Sequence, residues 1–155
     1  MRNALYLISS LLCLMSLSTH SFAESGLIHH TSEYTAKETS HRLVSLLEKK
    51  GMTIFARIDH QAGAKSVDTS LRFTEVIIFG NPKIGAPLMQ CAQSSGIDLP
   101  QKALIWEDAQ GTVHLSYNDP QYLVTRHAIT ACDAIIKKMS AALDAFARAA
   151  TNPQP

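Results

Sequence analysis

The sequence predicts an α+β fold in which one mostly antiparallel sheet has helices packed on one face. Predicted elements follow the order β-α-β-β-β-β-α, with a short extra helix after the third strand. This order lacks the regular βαβ alternation of a parallel sheet. The long helices lie near the two ends of the chain, and each has one apolar stripe to bury.

Residues 1–23 are predicted to be a cleavable export signal. Arg2 precedes an uncharged run over residues 4–17, and the small residues Ser21 and Ala23 stand at positions −3 and −1 of a cut before Glu24. Four serines interrupt the apolar stretch, whereas a retained membrane anchor needs about 20 apolar residues. We therefore expect a periplasmic or secreted protein with no stable membrane anchor after cleavage.

The rest of the 155-residue chain has the length of one domain, about 100 to 150 residues. Its expected parts are an N-terminal segment with the first strand (24–34), the domain (35–149) and a disordered tail (150–155). Removal of Arg2 with the signal leaves equal numbers of basic and acidic residues. This balance argues against nucleic acid as a partner.

The first helix has clear start and stop signals. Thr35 and Glu38 have the capping-box spacing, and an apolar stripe continues to two lysines and Gly51. A strand over residues 28–34 is expected before this helix. The two-fold pattern of residues 52–58 predicts a strand after it, with Ile54 and Ile58 on one face.

The middle of the chain reads as strands joined by short connections. Residues 75–79 predict a strand that ends at Asn81-Pro82, and residues 84–95 predict a short helix. Strands over 103–108 and 112–117 flank a hairpin turn that ends at Gly111. Whether Trp106 pairs with Val113 or His114 stays open, because the turn length is ambiguous.

The C-terminal third is predicted to be helical. Asp119-Pro120 forms a helix start, a break is expected near His127, and Thr130 or Asp133 would begin a second helix. Apolar residues then recur in steps of three and four.

Cys91 and Cys132 are the two cysteines left after signal removal. An exported protein permits a disulfide between them, and such a bridge would stabilise the fold by about 4 kcal/mol in the chain-entropy model. Two buried free thiols are the alternative.

Several short motifs together resemble a known family. They are Ile58-Asp59-His60, Ile78-Phe79-Gly80-Asn81-Pro82, Asp98-Leu99-Pro100, Trp106-Glu107-Asp108, Tyr117-Asn118-Asp119-Pro120 and Arg126-His127. In order and spacing this set resembles the family catalogued as domain of unknown function 302. The resemblance implies a compact α+β domain that looks like the sheet-and-two-helix arrangement of the TATA-binding-protein class and is commonly a homodimer. It implies no known activity.

Asp59, His60 and Asn81 are the first candidate site residues, because each lies where a strand ends. If the three converge at one rim of the sheet, they could orient a small polar ligand, or Asp59 could orient His60 as a base. Alternatively, Asp59 and Asn81 only cap turns through side-chain to backbone hydrogen bonds.

Arg126 and His127 are the next candidates, together with His114. No metal site is predicted, because the chain lacks the His-x-x-x-His, Cys-x-x-Cys and paired-carboxylate spacings of common metal sites.

Two functions fit these observations. We expect a small periplasmic domain that binds a small-molecule ligand or a partner, without a cofactor. The alternative is a hydrolase-like or isomerase-like enzyme in which Asp59 orients His60 as the general base.

Overall fold

The structure is a computed structural model that describes residues 26–153. The predicted signal at 1–23 lies outside the described residues. The strands are β1 Leu27–Thr31, β2 Thr53–Asp59, β3 Thr74–Gly80, β4 Gln101–Glu107 and β5 Val113–Asn118. The helices are α1 Ala36–Lys49, α2 His60–Lys65, α3 Pro82–Cys91, α4 Pro120–Arg126 and α5 Asp133–Thr151, with a 3₁₀ helix at Gln93–Ile97.

The five strands form one antiparallel sheet in the order β1-β5-β4-β3-β2. This confirms the predicted α+β class with a single antiparallel sheet. Alternate residues of the central strands are buried, among them Ile77, Phe79, Ile105 and Leu115. They belong to one core with the apolar faces of α1 and α5, which supply Leu43, Leu47, Met139 and Leu143.

The capping box that begins α1 is present as predicted. The backbone N–H of Glu38 donates to Thr35 Oγ1, and the N–H of Thr35 donates to the Glu38 carboxylate. Pro120 likewise opens α4 after the Asp119 cap.

Three local expectations need correction. A β-bulge between Ile54 and Ala56 places Ile54 opposite Phe79 but Ile58 opposite Val76, so Ile54 and Ile58 lie on different faces of the sheet. The turn expected after Asp59 is the short helix α2. The disordered tail expected at 150–155 does not begin at residue 150, because α5 extends through Thr151 and buries both Ala150 and Thr151.

The hairpin register is settled by cross-strand pairing. Trp106 pairs with His114, and the two rings stack with centroids 4.6 Å apart. Gly111 adopts a φ of +81°, the left-handed conformation that the turn requires.

Candidate functional site

The prediction that Asp59, His60 and Asn81 converge at one rim of the sheet is wrong. Because β2 and β3 are antiparallel, Asp59 pairs with Glu75 at one end of the ladder while Gly80, next to Asn81, pairs with Thr53 at the other. The two ends are separated by roughly 17 Å at the usual rise of a strand.

Asp59 and Asn81 both act as helix caps. Asp59 Oδ1 accepts from the backbone N–H of Ala62, and Asn81 Oδ1 accepts from that of Lys83. His60 is exposed at the first position of α2, and no side-chain contact within the described residues joins it to Asp59. The arrangement offers no support for a His60 base oriented by Asp59.

Arg126 and His127, by contrast, belong to a connected cluster that we call the Asp98 cluster: Ser94, Asp98, Arg126 and His127. His127 Nε2 lies 2.6 Å from Asp98 Oδ2, and Arg126 Nη1 lies 3.3 Å from Asp98 Oδ1. On the other side of the imidazole, Nδ1 lies 3.0 Å from Ser94 Oγ. The His127 side chain is 5% exposed and that of Asp98 is 11% exposed.

A disulfide between Cys91 and Cys132 joins the two segments that carry this cluster. Cys91 ends α3, just before the 3₁₀ helix with Ser94, and Cys132 caps α5 after the loop that follows His127. The backbone of Cys132 has a φ of +80°. Of the two alternatives that the sequence leaves open, the structure has the bridged one, and the cluster lies beside this cross-link.

An apolar cavity of about 500 Å³ lies between α3, α5 and the Gly80 end of the sheet, and we call it the α3–α5 cavity. Its walls are mainly apolar: Met52, Phe55, Phe79, Ile84, Met89, Leu99, Met139, Leu143 and Phe146. This size is in the ordinary range for small-molecule sites.

Four polar side chains line the α3–α5 cavity: Asn81, Lys83, Gln101 and Lys138. Gln101 is buried, and its Nε2 donates to Met139 Sδ at 3.4 Å, a weak acceptor. Both lysines are exposed, and no lining residue is acidic. Of the three residues of the predicted rim, Asn81 is the one that lines the α3–α5 cavity.

His114 belongs to a separate polar pair on the sheet. Its Nε2 lies 2.9 Å from Asp108 Oδ2. That hydrogen bond, helped by the backbone N–H of Thr112, lowers the pKa of Asp108 below its usual value. Within residues 26–153, no three His, Cys, Asp or Glu side chains gather as they would around a metal ion.

Sequence reasoning missed Ser94 and Asp98 as partners of His127, and it missed the cavity. Asp98 and His127 are 29 residues apart, too far for any helical or strand periodicity to pair them. One signal was present, because both residues stand in motifs of the family resemblance. Reading those motifs as mutual contacts would have suggested the pair.

Known proteins similar to this chain include three curated relatives from Brucella. Fluoride-specific ion channel FluC 1 of Brucella suis biovar 1 (strain 1330) is 44% identical over 120 residues, which are 77% of this chain and 47% of that protein. FluC 1 of Brucella abortus and FluC 2 of Brucella melitensis match at the same identity over 44% of their lengths. The chain thus spans about half the length of these relatives. Along the described part of this chain, the structure contains no helix that is long and apolar enough to cross a membrane.

The fold also matches a solved structure. The crystal structure of an uncharacterized conserved protein DUF302 from Bacillus stearothermophilus aligns with a TM-score of 0.74 at 17% identity, over 81% of this chain and 98% of that chain. The sequence profile described as "Domain of unknown function DUF302" matches residues 28–146. The chain therefore belongs to the DUF302 family.

Proposed function

We propose that the protein is an exported domain that binds a small amphiphile, with an apolar body in the α3–α5 cavity and an anionic head at its mouth. The observation that carries this proposal is a cavity of about 500 Å³ whose lining includes two lysines and no carboxylate. An apolar wall favours an apolar body, and the unbalanced positive charge favours an anion.

Gln101 gives the cavity a fixed polar group. Its amide is held against Met139, and a ligand oxygen would be a stronger acceptor than the thioether. Lys83 on α3 and Lys138 on α5 both line the cavity, so each would attract a carboxylate at its mouth.

Calorimetric titration of the mature protein with dodecanoate, dodecanol and dodecyltrimethylammonium tests the proposal. We expect dodecanoate to bind most tightly and the cation most weakly. Ala142→Trp, which places a large side chain in the cavity, should weaken dodecanoate binding at least tenfold. Lys138→Gln should weaken dodecanoate binding and leave dodecanol unchanged.

The neighbouring positions supply matched controls. Ala141 and Lys137 lie on the same helix, are exposed and do not line the cavity. Ala141→Trp and Lys137→Gln should therefore bind like the wild type. Absence of dodecanoate binding, or equal binding by Ala142→Trp and Ala141→Trp, would contradict the proposal.

Export rests on the signal-like residues 1–23 and is consistent with the disulfide, which belongs to oxidising compartments. The intact mass of protein recovered from the periplasm should correspond to a chain that begins at Glu24. A full-length, membrane-bound species would contradict cleavage.

The curated relatives suggest an accessory role. They are named fluoride-specific ion channels, and the region that matches this chain makes up 44% to 47% of their lengths. We propose that this region is an accessory, ligand-binding part of those proteins and that the domain described here has the corresponding role.

A homodimer is also part of the proposal. Strand β2 is an edge of the sheet, and its Ile58 is 41% exposed. Pairing of two such edges would hide unpaired backbone groups and this apolar side chain. Light scattering should give a dimer mass for the wild type and a monomer mass for Ile58→Lys.

A further inference from the structure

We propose that Ser94, His127 and Asp98 form a nucleophilic relay through which the protein cleaves small carboxylic esters. The relay has the required order of contacts: a hydroxyl, an imidazole and a carboxylate, joined by separations of 3.0 Å and 2.6 Å. It is distinct from the His60 base considered from the sequence.

The hydrogen-bond partners of His127 assign the tautomer of its neutral imidazole. An ionised carboxylate only accepts hydrogen bonds, so in neutral His127 the proton lies on Nε2, facing Asp98. Nδ1 then carries the lone pair and accepts the hydroxyl proton of Ser94. The two nitrogens have exchanged the roles of the common serine hydrolase arrangement, but the chemistry requires only one acceptor and one oriented donor.

The exposures of the three side chains agree with the roles of nucleophile, base and positioning carboxylate. Ser94 is exposed and can reach a substrate, whereas the side chains of His127 and Asp98 are 5% and 11% exposed. Arg126 Nη1 contacts the second oxygen of Asp98 and holds that carboxylate from the other side. In a nucleophilic relay, the base is shielded from water and the hydroxyl is open to substrate. The exposures of His127 and Ser94 have this pattern.

The surrounding backbone fixes the geometry. Ser94 and Asp98 lie in or next to one 3₁₀ helix, and His127 is the C-cap of α4. The disulfide Cys91–Cys132 joins these two segments independently of the relay. Such support reduces the rearrangement needed when the substrate binds.

The reaction balances with water alone. Ser94 Oγ attacks the ester carbonyl carbon while its proton moves to His127 Nδ1, and the tetrahedral intermediate expels the alcohol, which takes that proton. Water then attacks the acyl-serine carbonyl, giving its proton to Nδ1, and Ser94 Oγ departs and recovers it. Asp98 stays ionised throughout and acts as a positioning residue, together with Arg126.

The acyl group that fits is an apolar one. Gly96 and Leu99, from the same short segment as Ser94 and Asp98, line the α3–α5 cavity. This preference rests on the proposed function of the cavity, whereas the nucleophilicity of Ser94 does not.

Labelling with a fluorophosphonate, followed by peptide mass spectrometry, tests the relay directly. Ser94 should be modified and the adjacent buried Ser95 should not. Ser94→Ala should abolish labelling and hydrolysis of p-nitrophenyl acetate, and His127→Gln should slow both at least tenfold. Ser66→Ala, at an exposed serine outside the cluster, should leave both unchanged.

Two further measurements test two separate points. The first is whether Asp98 acts in catalysis or only stabilises the fold, and the second is whether the α3–α5 cavity accepts the acyl group. Asp98→Asn should lower kcat at unchanged KM, and Asp98→Glu should restore part of it. Ala142→Trp should lose much more activity on the dodecanoate ester than on the acetate, and Ala141→Trp, outside the cavity, should leave both activities unchanged. Unmodified Ser94 in folded wild-type protein, or acetate hydrolysis unaffected by Ser94→Ala, would overturn the relay even where dodecanoate still binds the cavity.

Discussion

His127 Nε2 lies 2.6 Å from Asp98 Oδ2, and this contact joins the end of α4 to the loop before β4. Both side chains are shielded from water, so the contact should contribute to stability as well as to any chemistry. In a double-mutant cycle of Asp98→Ala and His127→Ala, we expect a coupling energy of about 1 to 3 kcal/mol in the free energy of unfolding.

The exposed pair Asp144–Arg148 is the control for this cycle. Its separation is 2.8 Å, but its side chains are 44% and 66% exposed. A much weaker coupling is expected for such an exposed i,i+4 pair, because water screens its charges. Equal couplings in urea denaturation of the two sets of variants would mean that shielding adds nothing at Asp98.

The disulfide should dominate the stability of the C-terminal half. It closes a loop with a sequence separation of 41, for which the chain-entropy model gives about 4 kcal/mol. Replacing both Cys91 and Cys132 by serine should lower the free energy of unfolding by that order. A reducing agent should destabilise the wild type similarly and leave the double variant unchanged. Two titratable thiols in unfolded, unreduced wild type would refute the bridge.

The capping hydrogen bonds of Asp59 and Asn81 are predictable from the sequence. The distance between the two residues depends on the direction of the strands that precede them. Each residue caps the start of a helix through the side-chain to backbone hydrogen bond that the alternative interpretation expected at a turn. In an antiparallel sheet, neighbouring strands end at opposite ends of the sheet. The predicted antiparallel fold is therefore inconsistent with a common rim for Asp59 and Asn81.

Long-range contacts and strand irregularities are harder to predict from the sequence than the helices and strands are. The element order follows from periodicity, because each helix or strand carries its own pattern. The bulge near Phe55 depends on how β2 packs against β3, and the contact of Ser94 with His127 spans 33 residues. Neither leaves a local pattern in the sequence. The α3–α5 cavity is likewise formed by elements that only the folded chain brings together.

Tyr117 places a buried hydroxyl where no hydrogen-bond partner exists within the described residues. Burial, with the nearby Asp144 and Asp119 carboxylates, raises its pKa to about 12. Because the unfolded chain ionises near pH 10, stability should fall as the pH rises from about 10 to about 12.

Tyr117→Phe should therefore remove this alkaline loss of stability. Near neutral pH it should be neutral or stabilising by about 1 kcal/mol, because it deletes an unsatisfied polar group. Thermal unfolding across this pH range measures both effects. Tyr122→Phe, at an exposed tyrosine, should leave the alkaline profile unchanged, and a large destabilisation by Tyr117→Phe at neutral pH would contradict the account.

His30 should make the fold sensitive to mild acid. Its side chain is 14% exposed, and burial lowers its pKa below 6.5, although Asp144, with an oxygen 3.6 Å from Nε2, opposes the shift. The unfolded chain therefore takes up a proton at a higher pH than the folded chain does. The stability contributed by neutral His30 is present above pH 6.5, decreases as the pH falls below that value, and levels off below the pKa of the folded state.

His30→Phe keeps a ring beside Tyr117, whose centroid lies 6.0 Å away, and removes the titrating group. The free energy of unfolding of the wild type should therefore fall more steeply than that of His30→Phe as the pH is lowered from 7 to 5. His41→Phe, at an exposed histidine, should retain the wild-type slope. Asp144→Asn removes the charge that opposes desolvation, so it should steepen the wild-type loss. If the wild type instead loses less stability than His30→Phe between pH 7 and pH 5, the ion pair with Asp144 outweighs burial, and the pKa of His30 is raised rather than lowered.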